Sequence, residues 1–200
     1  KVGVAGGALD KSWLIARAYA KQKYGLDLFS STTPQFAAPP LISRLLLDDR
    51  LPAGINFWHF NVRLAAQGMQ ELLGVQDMLL GLGLETAPPM LGWVFSRPWA
   101  QANRDTLLSF LAATQQAREI LATTADAWPP IANLVRPEND AVLASIRTHY
   151  AEGLVTRFGP PEIEAAGQLF QILARESDGQ LTEGVQALPP DTFWNEFHLP

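Results

Sequence analysis

The first third of the chain alternates three times between a short apolar run and a helical stripe, a rhythm that leaves few folds open. Val2–Ala5 reads as a strand that ends in Gly6-Gly7 and opens a helix with Leu14, Ile15, Ala18 and Tyr19 on one face. Tyr24-Gly25 stops that helix, because glycine takes the left-handed cap freely. Leu26–Ser31 is the expected second strand, and the residues from Thr32 to Phe36 a loop. Pro39-Pro40 then opens a helix carrying Leu41, Ile42, Leu45 and Leu46. Ile55–Phe60 is the expected third strand. Asn61 is its N-cap to a helix with Val62, Ala65, Ala66, Met69 and Leu73, ending at Gly74.

Three such units predict an α/β fold with a parallel sheet, since parallel strands need helical crossovers. The ligand crevice of such a sheet opens beyond the carboxyl ends of its strands. Three loops are expected to converge there: Gly6–Ser12, Ser30–Ala38 and the His59/Asn61 junction. In the first, Gly6, Gly7 and Ala8 let backbone approach a ligand, and the helix start at Asp10, Lys11 and Ser12 offers N–H donors. The same residues also fit a plain βα turn, with Asp10 as an N-cap and Lys11 solvated. Thr33 is a further candidate donor. Trp58 and His59 stand at the end of the expected third strand, each with an apolar body and a polar tip. Both also read as core residues.

Composition narrows the function classes. Nearly half of the 200 residues are apolar, so the chain is a packed globular one. The formal charge of −5 argues against nucleic acid as a partner. With no cysteine, disulfides, thiolate metal sites and cysteine nucleophiles are excluded. No window is long and apolar enough to cross a bilayer. The chain starts at Lys1 without an initiator methionine, so a targeting segment is expected to lie outside it.

The remainder changes character. Leu82–Pro89 reads as a connection between lobes, and Leu91–Phe95 as a lone hinge strand. Asn103 is the expected cap of a long helix with Leu107, Phe110, Leu111, Thr114, Ala117 and Leu121. Pro129-Pro130 breaks the chain after that helix. Further helices are expected from near Pro137, with Leu143, Ile146 and Tyr150, and from Pro161, with Ile163, Ala166, Phe170 and Leu173. Asp178-Gly179 reads as a turn, and Leu188–Trp194 as an extended tail held by its aromatics. Residues 1–85 are thus read as an α/β ligand-binding lobe. Residues 86–200 are read as a hinge strand, C-terminal helices and a tail returning toward a first lobe.

No enzyme constellation emerges. The glycines are wrongly spaced for a dinucleotide fingerprint, and Asp27 lies at the start, not the end, of the expected second strand. Asp10 stands where a phosphate-binding loop needs glycine before Lys-Ser. A G-x-S-x-G elbow is absent. His59, His149 and His198 show no zinc-binding spacing. Nothing in the spacing of Ser12, His59 and Asp10 supports a triad. No catalysis and no cofactor is expected.

The run from Val2 through Trp13 (V-G-V-A-G-G-A-L-D-K-S-W) resembles the opening of the second lobe in periplasmic substrate-binding proteins. The branch is that serving ABC importers of the nitrate/sulfonate/taurine/bicarbonate type. The resemblance continues in order through A-P-P-L at Ala38–Leu41, A-G-I-N-F-W-H-F at Ala53–Phe60 and L-G-W-V-F-S at Leu91–Ser96. It extends to N-R-D-T-L-L at Asn103–Leu108 and P-D-T-F-W at Pro190–Trp194. It implies a type II-like, three-layer α/β lobe plus C-terminal helices.

The resemblance further implies a periplasmic or extracytoplasmic receptor. Two lobes would close on a small anionic or planar organic solute and present it to a permease in the inner membrane. Gly6, Gly7, Ala8, the start at Asp10–Ser12 and Trp58 would face the cleft. The family's first lobe, expected ahead of Val2, is missing. An isolated fragment is therefore expected to expose an apolar face and to dimerise or swap. The alternative is an effector-sensing domain of a transcription regulator with the same two-lobed fold.

Overall fold

The computed structural model describes residues 1–194, 196 and 197; His198 lies outside them. The fold is mixed α/β, with a small open sheet of three parallel strands in the order β2-β1-β3. The chain forms two compact units, Lys1–Pro88 with Pro160–Thr192, and Pro89–Gly159 with Phe193–Pro200. The expected boundary at residue 85 thus falls three residues early. The last long helix belongs to the first unit, not to a continuous C-terminal block.

In the first unit, β1 (Val2–Ala5) is the central strand. Asp10 caps α1 (Lys11–Tyr24), and Gly25 ends it at φ 64°, donating to the Lys21 carbonyl while Leu26 donates to that of Ala20. Trp13, Leu14, Ile15, Ala16, Ala18 and Ala20 are all buried, so α1 is covered nearly all round. Trp13 meets Phe36 of the sheet edge-on, and α5 (Val75–Gly81) and α10 (Pro160–Glu176) pack on its other flanks. Arg17 ties α10 down: its Nη1 donates to the Glu176 carbonyl at 2.9 Å.

The second strand is not Leu26–Ser31. Asp27 accepts from Phe29 N and from the Ser30 hydroxyl, which curls that stretch into one helical turn, α2 (Leu28–Ser31). β2 is Pro34–Ala37, inside the expected loop. Its leading proline costs no ladder bond at the first position of an edge strand. The opposite sheet face carries α3 (Pro39–Leu47) and α4 (Trp58–Ala65), with Ala5, Ile42, Leu46, Leu51 and Leu64 in one apolar cluster. The helix sits close because glycine faces it: a Cβ on Gly3 would stand 2.8 Å from Leu51 Cδ1 and 3.1 Å from Ile42 Cγ2. Helices on both faces make this unit three-layered.

The third strand is also shorter than expected. β3 is Gly54–Ile55, and α4 already begins at Trp58, so the strand expected over Ile55–Phe60 stops at Ile55. Asn61 is not a cap; it lies inside α4 and donates to the Asn56 carbonyl at 3.2 Å. Gly74 does not end that helix but precedes the unexpected α5. Along α10 the buried residues are Glu162, Ala165, Leu169, Ile172, Leu173 and Ala174, of which only Leu173 belongs to the expected stripe. Asp178-Gly179 does turn, both at positive φ.

In the second unit, Leu91–Phe95 forms no strand. Leu91 and Val94 are exposed, and among the described residues no strand pairs with the segment. The helices fare better: α6 (Arg97–Ala102), α7 (Arg104–Thr123), α8 (Ala132–Val135) and α9 (Asp140–Glu152). Asn103 sits at the start of α7 without capping it; its amide donates back to the Trp99 carbonyl. A 3₁₀ turn begins at Pro129. The tail is held by aromatic pairs, Phe193 on Phe158 and Trp194 on Phe95.

Candidate functional site

The carboxyl ends of β1, β2 and β3 release three βα turns at one edge of the sheet. Neighbouring strands lie about 4.8 Å apart, so the turns are neighbours too. After β1 come Gly6, Gly7, Ala8, Leu9 and Asp10. Gly6 stands at φ 96°, where a side chain would be strained, and its N–H donates to the Ala37 carbonyl at 2.9 Å. Asp10 Oδ1 accepts from Ser12 N at 2.9 Å and Trp13 N at 3.2 Å. Two donors at this helix start, that of Ser12 among those the sequence offered to a ligand, are thus held by the chain's own carboxylate. Lys11 is exposed and Ser12 half-buried beside it.

After β2, Ala38 leads straight into Pro39-Pro40. After β3 comes Asn56, whose role was not legible in the sequence. Its Nδ2 donates to the Pro39 carbonyl at 3.1 Å and the Ser43 hydroxyl at 3.0 Å, while its Oδ1 accepts from Phe57 N. This buried amide pins the β3–α4 turn to the first turn of α3, and so fixes where Trp58 and His59 stand. The available signal was a polar residue inside an apolar run, which must find partners if buried.

Trp58 is 47% exposed and Phe57 41%. His59 lies among rings, with centroids at 4.6 Å to Phe60, 5.7 Å to Trp58 and 6.3 Å to Phe57. Burial first, and the positive charge of Arg63 second, push its pKa below the ordinary 6.5. Both causes favour the neutral ring. Leu9 and Leu41, both exposed, complete an apolar rim on this edge with Phe57 and Trp58.

Of the expected site residues, Gly6, Gly7, Ala8, Asp10, Lys11, Ser12, Trp58 and His59 gather at this edge. Thr33 does not. It precedes β2, at the amino end of the sheet, where its carbonyl accepts from Val2 N. The loop Ser30–Ala38 therefore spans the sheet, and only Ala38 of it reaches the carboxyl edge. Among the described residues, no three His, Asp or Glu side chains gather into a metal-holding group. The second unit has an open groove of 490 Å³ lined by Ala122, Ala144, Arg147, Thr148, Ala151 and Glu152. Among the described residues, no helix is long and apolar enough to cross a membrane.

No protein-family model and no curated protein matches this chain.

Proposed function

We propose that the first unit is the α/β lobe of a two-lobed, periplasmic-binding-protein-like receptor. The receptor captures a small anionic or planar organic solute and presents it to an importer's permease outside the cytoplasm. The observation that carries this reading is the contrast built into one sheet edge. A parallel sheet opens its crevice at the carboxyl ends, and here that edge holds a glycine turn and an apolar rim of Leu9, Leu41, Phe57 and Trp58. A rim of that kind suits a surface that closes on something. Catalysis has no part in this reading.

A thermal-shift screen of planar organic sulfonates, carboxylates and heteroaromatic bases tests it. A hit is then titrated into wild type and Trp58→Ala, with the denaturant midpoint of each. The expected result is a loss of affinity of about tenfold or more with stability changed by under about 0.5 kcal/mol, as for a surface position. A large loss of stability with affinity retained makes Trp58 a packing residue and removes the site.

A further inference from the structure

In the second unit the run from Leu91 to Phe95 has strand composition and passes without helix, turn or bend from Met90 to α6. Among the described residues, no hydrogen bond ties the backbone of Leu91, Gly92, Trp93, Val94 or Phe95. Rings hold the run in place all the same. Trp93 lies edge-on to Phe110 with centroids 5.0 Å apart, and Phe95 edge-on to Trp194 at 5.4 Å. Val94, between them, is 97% exposed. Two anchored side chains two residues apart, with the one between them in solvent, follow the alternation of an extended strand. The run is a strand edge without a sheet, ordered before anything pairs with it.

We infer that this edge pairs with its own counterpart in a second copy of the chain, antiparallel and centred on Trp93. The run is self-complementary in that register. Trp93 stands opposite Trp93 and Leu91 opposite Phe95, which sets aromatic and apolar side chains side by side on one face. On the other face Gly92 stands opposite Val94, so each exposed valine meets a residue with no side chain to displace. Charge permits the pairing as well. Between Glu85 and Arg97 no residue is charged, so two copies meet without the like-charge clash that guards many exposed edges. No proline stands between Pro89 and Pro98, so every residue of the run has an N–H for a ladder. A two-fold axis between the facing Trp93 residues uses the same patch on both copies. So short an interface makes a weak dimer, not an obligate one. The inference rests on the second unit alone and is independent of the solute site.

The chain has no cysteine, so single introduced thiols report the register. A Cβ on Gly92 meets nothing within 4 Å, and Val94 is in solvent, so Gly92→Cys and Val94→Cys both fit the fold. Each protein is oxidised alone and in an equal mixture with the other. Residues 92 and 94 of two copies lie directly opposite, within disulfide reach, whereas each thiol's own counterpart lies on a diagonal about 7–8 Å away. Cross-linked dimer is expected to be about threefold or more as abundant in the mixture as in either protein alone. Sedimentation of wild type across micromolar concentrations should show a monomer–dimer equilibrium. Val94→Pro removes a ladder donor at an exposed position with no bond to lose, and should raise the dissociation constant about tenfold or more. Val94→Thr keeps the donor and the β-branch and should dimerise as wild type does. Monomer at every concentration, a dimer indifferent to Val94→Pro, or equal cross-linking in the three samples overturns the inference.

Discussion

The two ends of the same small sheet are built to opposite plans. At the amino end the chain closes on itself. Thr33 and Ala53 give their carbonyls to Val2 and Gly3, and Asp49, Arg50 and Leu51 fold back onto Leu46 and Leu45 through backbone bonds. Leu51 is buried there and the turn from Asp48 to Arg50 is exposed and polar, while the connection from α1 into β2 on the same end exposes Leu26 and Phe29. At the carboxyl end the turns are equally well bonded, yet they present Leu9, Leu41, Phe57 and Trp58 to solvent. The difference is one of the tight turns: the α3–β3 turn at the amino end is polar outside, whereas the turns leaving β1 and β3 at the carboxyl end carry apolar side chains to solvent.

Substitutions can break or sharpen this contrast. The largest effect is expected from a tryptophan that belongs to neither end. Trp13 is 1% exposed, and Trp13→Ala should cost about 3–5 kcal/mol in denaturant unfolding. A cost under about 1 kcal/mol would mean that α1 is not seated on the sheet. Next is Asn56→Ala, which unpairs buried groups at the carboxyl edge and should cost about 1–3 kcal/mol. It should also weaken solute binding through misplaced aromatics, while Ser43→Ala, which leaves Asn56's bonds to Pro39 and Phe57, should do neither to the same extent.

A smaller effect is expected of His59. Its folded pKa lies below 6.5, so the unfolded chain takes up the proton first as pH falls. The stability from the neutral ring is full above that value and is lost as pH drops through it toward the folded pKa. Unfolding midpoints between pH 8 and pH 5 should therefore fall more steeply for wild type than for His59→Gln; parallel curves would show that the ring is not held neutral by the fold. Smallest of all is Thr33→Ala. The bond from Thr33 to β1 is made by its backbone, so stability should stay within about 0.5 kcal/mol and solute affinity should not move. A loss of affinity there would put the amino end in the site and dissolve the contrast.

The parts legible in the sequence were those with two agreeing signals. α1 had a stripe and a cap at each end, Asp10 and Gly25; α3 had its prolines and leucines. Where one signal stood alone, it misled. Asn56-Phe-Trp-His-Phe60 is an apolar run that fits a buried strand or a helix start equally, and periodicity cannot choose between them. The side-chain bonds of Asn56 make the choice, and they reach Pro39 and Ser43, far off in sequence. Asp27 overrode the apolar character of Leu26–Ser31 in the same way, through a local capping bond. Leu91–Phe95 had strand composition but no partner strand among the described residues, and composition does not supply one. At the candidate site, residue positions could be anticipated. That Asp10 takes the N–H groups of Ser12 and Trp13 for itself could not, because the same residues fit a ligand-facing turn and a plain capped one.

The return of α10 to the first unit has a consequence for synthesis. The flank of α1 that α10 covers, with Arg17 upon it, must wait for Glu176 to be made, after the whole of Pro89–Gly159 has been translated. From Pro88 to Glu176, at about 5–20 residues per second, that delay is roughly 4–18 s. Through it, α1 stands one packing helix short, with apolar surface on that flank wet on a time scale long enough for chaperones to act.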